Sequence, residues 1–167
     1  LSRRTGEGTS LAILRAGVVS VVAKRDSEGP VRVVQEVGTL RPIYCTAVGK
    51  LLAAWLPERE LDGIIGRTGF ERMTANTITD ISALKQELAR VRTNGFALDK
   101  EEHLEGIRCI AAPVRDQSEK VCAALCIVGP KNRLSLRRLR ELQDPLRDVA
   151  KKLSVQLGFG AARGAAT

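Results

Sequence analysis

Aromatic side chains are scarce in this sequence, with one Trp, one Tyr and three Phe among 167 residues. Proteins that grip single-stranded nucleic acid stack the bases on rings, and this chain has few to offer. The formal charge of +8 still raises the question of where the positive residues sit. Nine basic and three acidic residues follow Pro130, leaving 18 against 16 in residues 1–130. The surplus is therefore mostly one C-terminal segment, without an aromatic residue before Phe159, and it reads as the solvated face of a helix. Long apolar runs are missing as well. The longest uncharged one, Val121 to Pro130, is far short of the roughly 20 residues that cross a bilayer, and the N-terminal LSRRTGEG has no apolar signal region. A cytoplasmic chain without membrane contact is the expectation. Histidine occurs once and no Cys-x-x-Cys spacing occurs, which removes the usual zinc patterns. The four cysteines, Cys45, Cys109, Cys122 and Cys126, have apolar neighbours, so reduced core thiols are expected rather than disulfides.

What is present is enough apolar content, 44%, to build the core of one domain. The stretches SLAILRAGVVSVVAKR (10–25) and VRVVQEV (31–37) are rich in Val and Ile and broken at Gly17 and at Glu28-Gly29-Pro30. They read as three antiparallel strands. In TAVGKLLAAWLP, Thr46 is placed to cap a helix over 47–56, with Leu51, Leu52, Trp55 and Leu56 on one face and Pro57 as its stop. A second helix over 58–65 would close at Gly66. Asp80 then caps Ile81, Leu84, Leu88 and Val91, a 3-4-3 stripe that ends at Asn94-Gly95. Three extended runs follow, of which IRCIAAPVRD and KVCAALCIVG are apolar on both faces and belong near the middle of a sheet. Leu139, Leu142, Leu146, Val149, Leu153 and Leu157 form a last helical stripe, which Pro145 should kink or restart. Segregated strands and helices of this kind predict an α+β fold, an antiparallel sheet with helices packed against it.

Chemistry concentrates in Ala97-Leu-Asp-Lys-Glu-Glu-His-Leu-Glu-Gly-Ile-Arg-Cys109, which holds four acids, the single histidine and a cysteine. Zinc held by His103, Cys109 and acids competes with a surface histidine on a polar loop; a Cys109–His103 nucleophile competes with a small thiol in a buried strand. Glu101, Glu102 and Glu105 read as solvated loop charges. Period-two geometry puts Cys122, Ala124, Cys126 and Val128 on one face of their strand and Ile107, Cys109 and Ala111 on one face of another. Where these faces meet they would make a concavity of small residues, closed by the amide-rich start of the helix at 47. Such a place suits a small carboxylate.

YCTAVGKLLAAWLP, FALDKEEHLEGIRCIAAPV and CAALCIVGP, in this order, closely resemble the effector-binding domain of IclR-type bacterial transcriptional regulators. The resemblance runs from about Thr5 to Gly158 and implies a GAF-like domain over residues 1–158, with a frayed tail over 159–167. It also implies a small organic acid as effector, no cofactor or metal, no catalytic activity, and self-association into dimers or tetramers. DNA would be read by an N-terminal winged helix-turn-helix, expected to be absent from this chain. The positions it assigns to the effector are Ala47, Val48, Asp99, Cys109, Cys126 and Val128, with Val33 and Ile107 as further apolar lining. The amides of Ala47 and Val48 would hold a carboxylate and Asp99 would accept a polar hydrogen. Positions 126 and 128 carry hydroxyls in members that bind small polar acids; here they are a thiol and an isopropyl group, which points to an aromatic or alkyl carboxylate. Lys100, where an acid is common, and Arg41 near the pocket mouth alter the local charge. A GAF-like module of another signalling system and a small thiol- or metal-dependent enzyme stay open as alternatives.

Overall fold

The computed structural model describes residues 1–160 of the chain. Six strands, β1 (Gly8–Arg15), β2 (Val18–Arg25), β3 (Leu40–Arg41), β4 (Ala97–Lys100), β5 (Ile107–Arg115) and β6 (Val121–Pro130), form one sheet in the order β3-β2-β1-β6-β5-β4. Every neighbouring pair is antiparallel. The two strands with continuous apolar runs, β5 and β6, lie inside the sheet as their composition predicts, because both of their faces are covered. β1 and β2 join through Ala16 and Gly17, both at positive φ (51° and 81°), the two-residue turn that suits strand twist.

Helices cover both faces. A short N-terminal turn, α1 (Ser2–Thr5), precedes β1. On one side lie α2 (Ala47–Ala53), α3 (Glu58–Thr68) and α4 (Ile81–Asn94), which bury Leu51, Ile64, Leu84 and Leu88 against Ala12, Ala111 and Ala124 of the sheet. On the other lie α5 (Leu136–Glu141) and α6 (Gln143–Gln156), whose Leu139, Leu142 and Leu146 pack on Ile110, Ala112 and Ile127. Each fully buried leucine contributes about 1.5–3 kcal/mol relative to exposure. The predicted stripe of α4 is realised, with Asp80 accepting from the Ala83 amide at 2.8 Å and Gly95 closing the helix at φ 69°. Pro145 restarts the last helix instead of bending it, since it falls in the first turn of α6, where no amide hydrogen is needed.

Several expectations need correction. Residues 31–37 are not a strand: Val31, Val34 and Val37 are more than half exposed, and the segment follows Gly29-Pro30 without a ladder partner. Sheet pairing resumes only at Leu40–Arg41, after Thr39 O accepts the Val21 amide. α2 stops at Ala53, its last turn tightened by bonds from the Ala54 amide to both Lys50 O and Leu51 O. α3 continues past Gly66 to Thr68, and Gly69 ends it. The expected frayed tail falls, from Ala161 on, outside the described residues; before it, the Phe159 amide bonds Ser154 O at 2.9 Å. No helix among the described residues is long and apolar enough to cross a membrane.

Candidate functional site

Residue 46 sets the start of α2. Thr46 Oγ1 donates to Pro42 O (2.7 Å) and accepts from the Gly49 amide (3.0 Å), which fixes the entry of the helix over the sheet. Ala47 and Val48 follow as its first residues, whose amides have no carbonyl four positions back inside the helix. This start faces β1, β4, β5 and β6. Register places Ser10 opposite Cys126, Cys109 opposite Val128, and Asp99 opposite Cys109. The two strand faces singled out from periodicity therefore adjoin within one sheet; they do not confront one another across a gap.

Together these elements surround a cavity of ≈ 150 Å³. Its walls include all eight positions named from the sequence: Ala47, Val48, Asp99, Cys109, Cys126, Val128, Val33 and Ile107. Ala47, Asp99, Cys109, Cys126 and Val128 are buried and form the floor. Val33, Val34, Gln35, Arg41, His103 and Leu104, partly or largely exposed, mark the mouth. Ser10 and Thr46 also line the cavity, and neither is among the effector positions that the resemblance implies. For Ser10 a signal existed, a lone hydroxyl on the inward face of a strand between Gly8 and Ala12. The segment 31–37 brings Val33 to the mouth without the strand pairing its composition suggests. Cys122 does not join Cys126: an irregularity between Val114 and Arg115 pairs Val121 and Ala123 with adjacent residues and turns Cys122 toward the opposite core.

Glu101 and Glu102 are anchors rather than solvated charges. Glu102 is 6% exposed and receives the buried Lys50 Nζ on both oxygens, at 2.6 and 2.5 Å, with Glu87 a further 3.6 Å from the same ammonium. Its carbonyl accepts from Thr77 Oγ1 (2.7 Å). Glu101 accepts from Lys131 (3.0 Å), Arg108 (2.9 Å) and the Gly106 amide (3.1 Å), and Lys131 foremost lowers its carboxyl to about 2. Glu105 is exposed, as read. His103 is not a surface residue on a free loop. It is half-buried at the cavity mouth, and burial, then the charge of Arg41, lowers its pKa.

The cysteine thiols of Cys109 and Cys45, both near Asp99, are held in their protonated form. A hydrogen bond with Cys126 and burial hold Cys109 well above the usual thiol range, and burial, assisted by the charge of Asp99, pushes Cys45 up to about 12. Both stay thiols at neutral pH, poor attackers and suitable walls. Among the described residues no group of three His, Cys, Asp or Glu side chains is placed to hold a metal ion.

Asp99 is the titratable group of the floor. It is 3% exposed, Oδ1 accepts the Glu102 amide at 2.8 Å, and burial, followed by the nearby Glu102 charge, raises its carboxyl to about 7. Because the folded state holds this proton above the ordinary value of 3.8, it binds more protons than the unfolded chain between about pH 4 and pH 7. Stability from this group is thus full below pH 4 and is lost as pH rises to 7. Asp99→Asn keeps the acceptor and removes the ionisation. Denaturation midpoints measured from pH 4 to 7 should therefore rise in the variant relative to the parent; parallel curves would place the Asp99 pKa near that of an exposed carboxylate.

This geometry has counterparts. The family model described as the C-terminal part of the bacterial transcriptional regulator IclR matches residues 1–155. The HTH-type transcriptional regulator KdgR of Escherichia coli is 39% identical over 159 residues, covering 95% of this chain and 60% of KdgR. The crystal structure of the KdgR C-terminal domain superposes with a TM-score of 0.84 at 38% identity, covering 95% of this chain and 92% of that domain. A double mutant of the PobR transcription factor inducer-binding domain from Acinetobacter, in complex with 3-hydroxybenzoic acid, superposes with a TM-score of 0.84 at 28% identity, covering 92% of this chain and 90% of that one. The chain spans about 60% of the length of its curated relative.

Proposed function

Since this chain belongs to the C-terminal family of IclR-type bacterial transcriptional regulators, we propose that it senses a small organic acid for a cytoplasmic regulator that assembles through it as a dimer or tetramer. DNA is contacted by a segment outside this chain. The observation that carries the reading is the single cavity that gathers Ala47, Val48, Asp99, Cys109, Cys126, Val128, Val33 and Ile107.

In this reading the amides of Ala47 and Val48 receive the carboxylate and the raised carboxyl of Asp99 exchanges a proton or hydrogen bond with a polar group of the ligand. The thiols of Cys109 and Cys126 and the alkyl groups of Val128, Ile107 and Val33 surround the remainder. That lining favours an aromatic or alkyl acid, since a ligand hydroxyl buried beside Cys126 and Val128 would lack partners at about 1–3 kcal/mol each. Ser10, directly across from Cys126, returns one hydroxyl, so a single polar substituent is tolerated. The 3-hydroxybenzoic acid complex of the PobR domain supports an acid of this kind.

A thermal-shift panel followed by calorimetry tests the proposal. Benzoate and short alkyl acids should raise the melting temperature more than glyoxylate does, and Val128→Ser should move the preference toward glyoxylate by about tenfold, one buried hydrogen bond. Preferential binding of glyoxylate by the parent protein would reject the apolar acid. A panel without any shift would reject the carboxylate itself.

A further inference from the structure

At the cavity mouth, Arg41 stands out. It ends β3, pairs through its backbone with Val19, and lines the cavity half-buried. Its guanidinium makes no hydrogen bond or ion pair with any described residue. Other arginines near buried surface are all engaged: Arg108 with Glu101, Arg133 with Glu7, and Arg92 with Ala54 O. The field of Arg41 falls on His103 and on Cys109 of the floor, so its charge is turned over the opening. Beside it stand Gln35 and His103, both able to donate, and among the described residues no carboxylate lines the mouth. The acid of this cavity, Asp99, is buried on the floor.

We propose that this mouth is a second anion site and that the effector is a diacid: one acid group at the α2 start, an alkyl or aromatic middle against the thiols and valines, and an outer acid group on Arg41, with His103 and Gln35 beside it. The inference rests on the carboxylate reading above and makes Arg41 the residue that decides between monoacids and diacids. A monoacid leaves the guanidinium without an anion. A diacid adds a charge-assisted, two-pronged contact that is stronger than a neutral hydrogen bond and adds about tenfold in affinity.

Calorimetry on the parent protein, Arg41→Gln and Arg41→Lys, with the pairs butyrate and succinate, pentanoate and glutarate, and benzoate and isophthalate, decides the matter. The diacid of at least one pair should bind about tenfold tighter than its monoacid; the ratio should collapse toward one in Arg41→Gln and survive in part in Arg41→Lys. The single histidine supplies a separate spectroscopic readout. In NMR titrations the His103 pKa should rise in Arg41→Gln and, in the parent protein, on adding succinate but not butyrate. Should Arg41→Gln fail to fold, this parent titration decides alone. Equal affinities within every pair, or a diacid preference that persists in Arg41→Gln, overturns the mouth site and leaves the carboxylate reading intact. Absence of binding by either class, with a His103 pKa indifferent to succinate, overturns both.

Discussion

Glu102→Ala should lower the unfolding free energy by about 3–5 kcal/mol, the cost of leaving a buried charge without its partner. Lys50 is 1% exposed and sits at 2.5 to 2.6 Å from both Glu102 oxygens; Glu87, at 3.6 Å and more exposed, is too distant to replace them. For a chain of this size the melting temperature should fall by about 10 °C. The same carboxylate also accepts from the Lys100 amide, while the Glu102 amide donates to Asp99, so the loop leading to the cavity should loosen with it. Removing both charges is a different experiment. Lys50→Met with Glu102→Leu eliminates the desolvation cost along with the attraction and should return stability to within about 1–2 kcal/mol of the parent. Chemical denaturation of the three proteins checks both statements. A Glu102→Ala loss under 1 kcal/mol would show that water or Glu87 already compensates the ammonium.

Gly49→Ala should be nearly as damaging, for a steric reason. A Cβ at this position would lie 2.3 Å from Pro42 O, 2.6 Å from Thr46 Oγ1 and 2.7 Å from Ile43 Cα. None of these atoms is the free end of a flexible side chain. Two belong to backbone and the third is the helix cap, so α2 itself must move. Overpacking of this kind costs about 1–3 kcal/mol and loss of the cap about 1 kcal/mol more. The displaced residues are Ala47 and Val48, so acid binding should weaken beyond what the stability loss explains. Thermal melts and calorimetry with benzoate measure the two effects separately. A variant that melts within a degree of the parent would show the entry to α2 to be pliable.

How much of this was visible in advance depends on how local each cause is. The stripe of α4, the caps at Thr46 and Asp80 and the restart at Pro145 depend on neighbours within a few positions, and all appear where the residue pattern puts them. Residues 31–37 have the composition of a strand without its conditions: the valines at 31, 34 and 37 break the alternation, and the segment has no ladder partner among the described residues. The displacement of Cys122 reflects a register irregularity set by how β5 meets β6, and alternation within β6 alone has no means of showing it.

Charges divide along the same line. Glu102 reads as solvated because its partner Lys50 lies 52 positions before it; Glu101 is held by Lys131, 30 positions after it, and also by Arg108 and the Gly106 amide, which only the folding back of its own loop brings to it. Ser10 reaches the cavity through the antiparallel pairing of β1 with β6, and Arg41, which the family resemblance already puts near the mouth, through that of β3 with β2. Periodicity and capping thus suffice for the α+β architecture, since these depend on spacing along the chain, while the eight positions on the cavity wall follow from the family resemblance of the motifs. Whether an acid is paired, a histidine half-buried or an arginine left over an open cavity depends on which distant segments pack together, and that is decided by the sheet order and the helix placement alone.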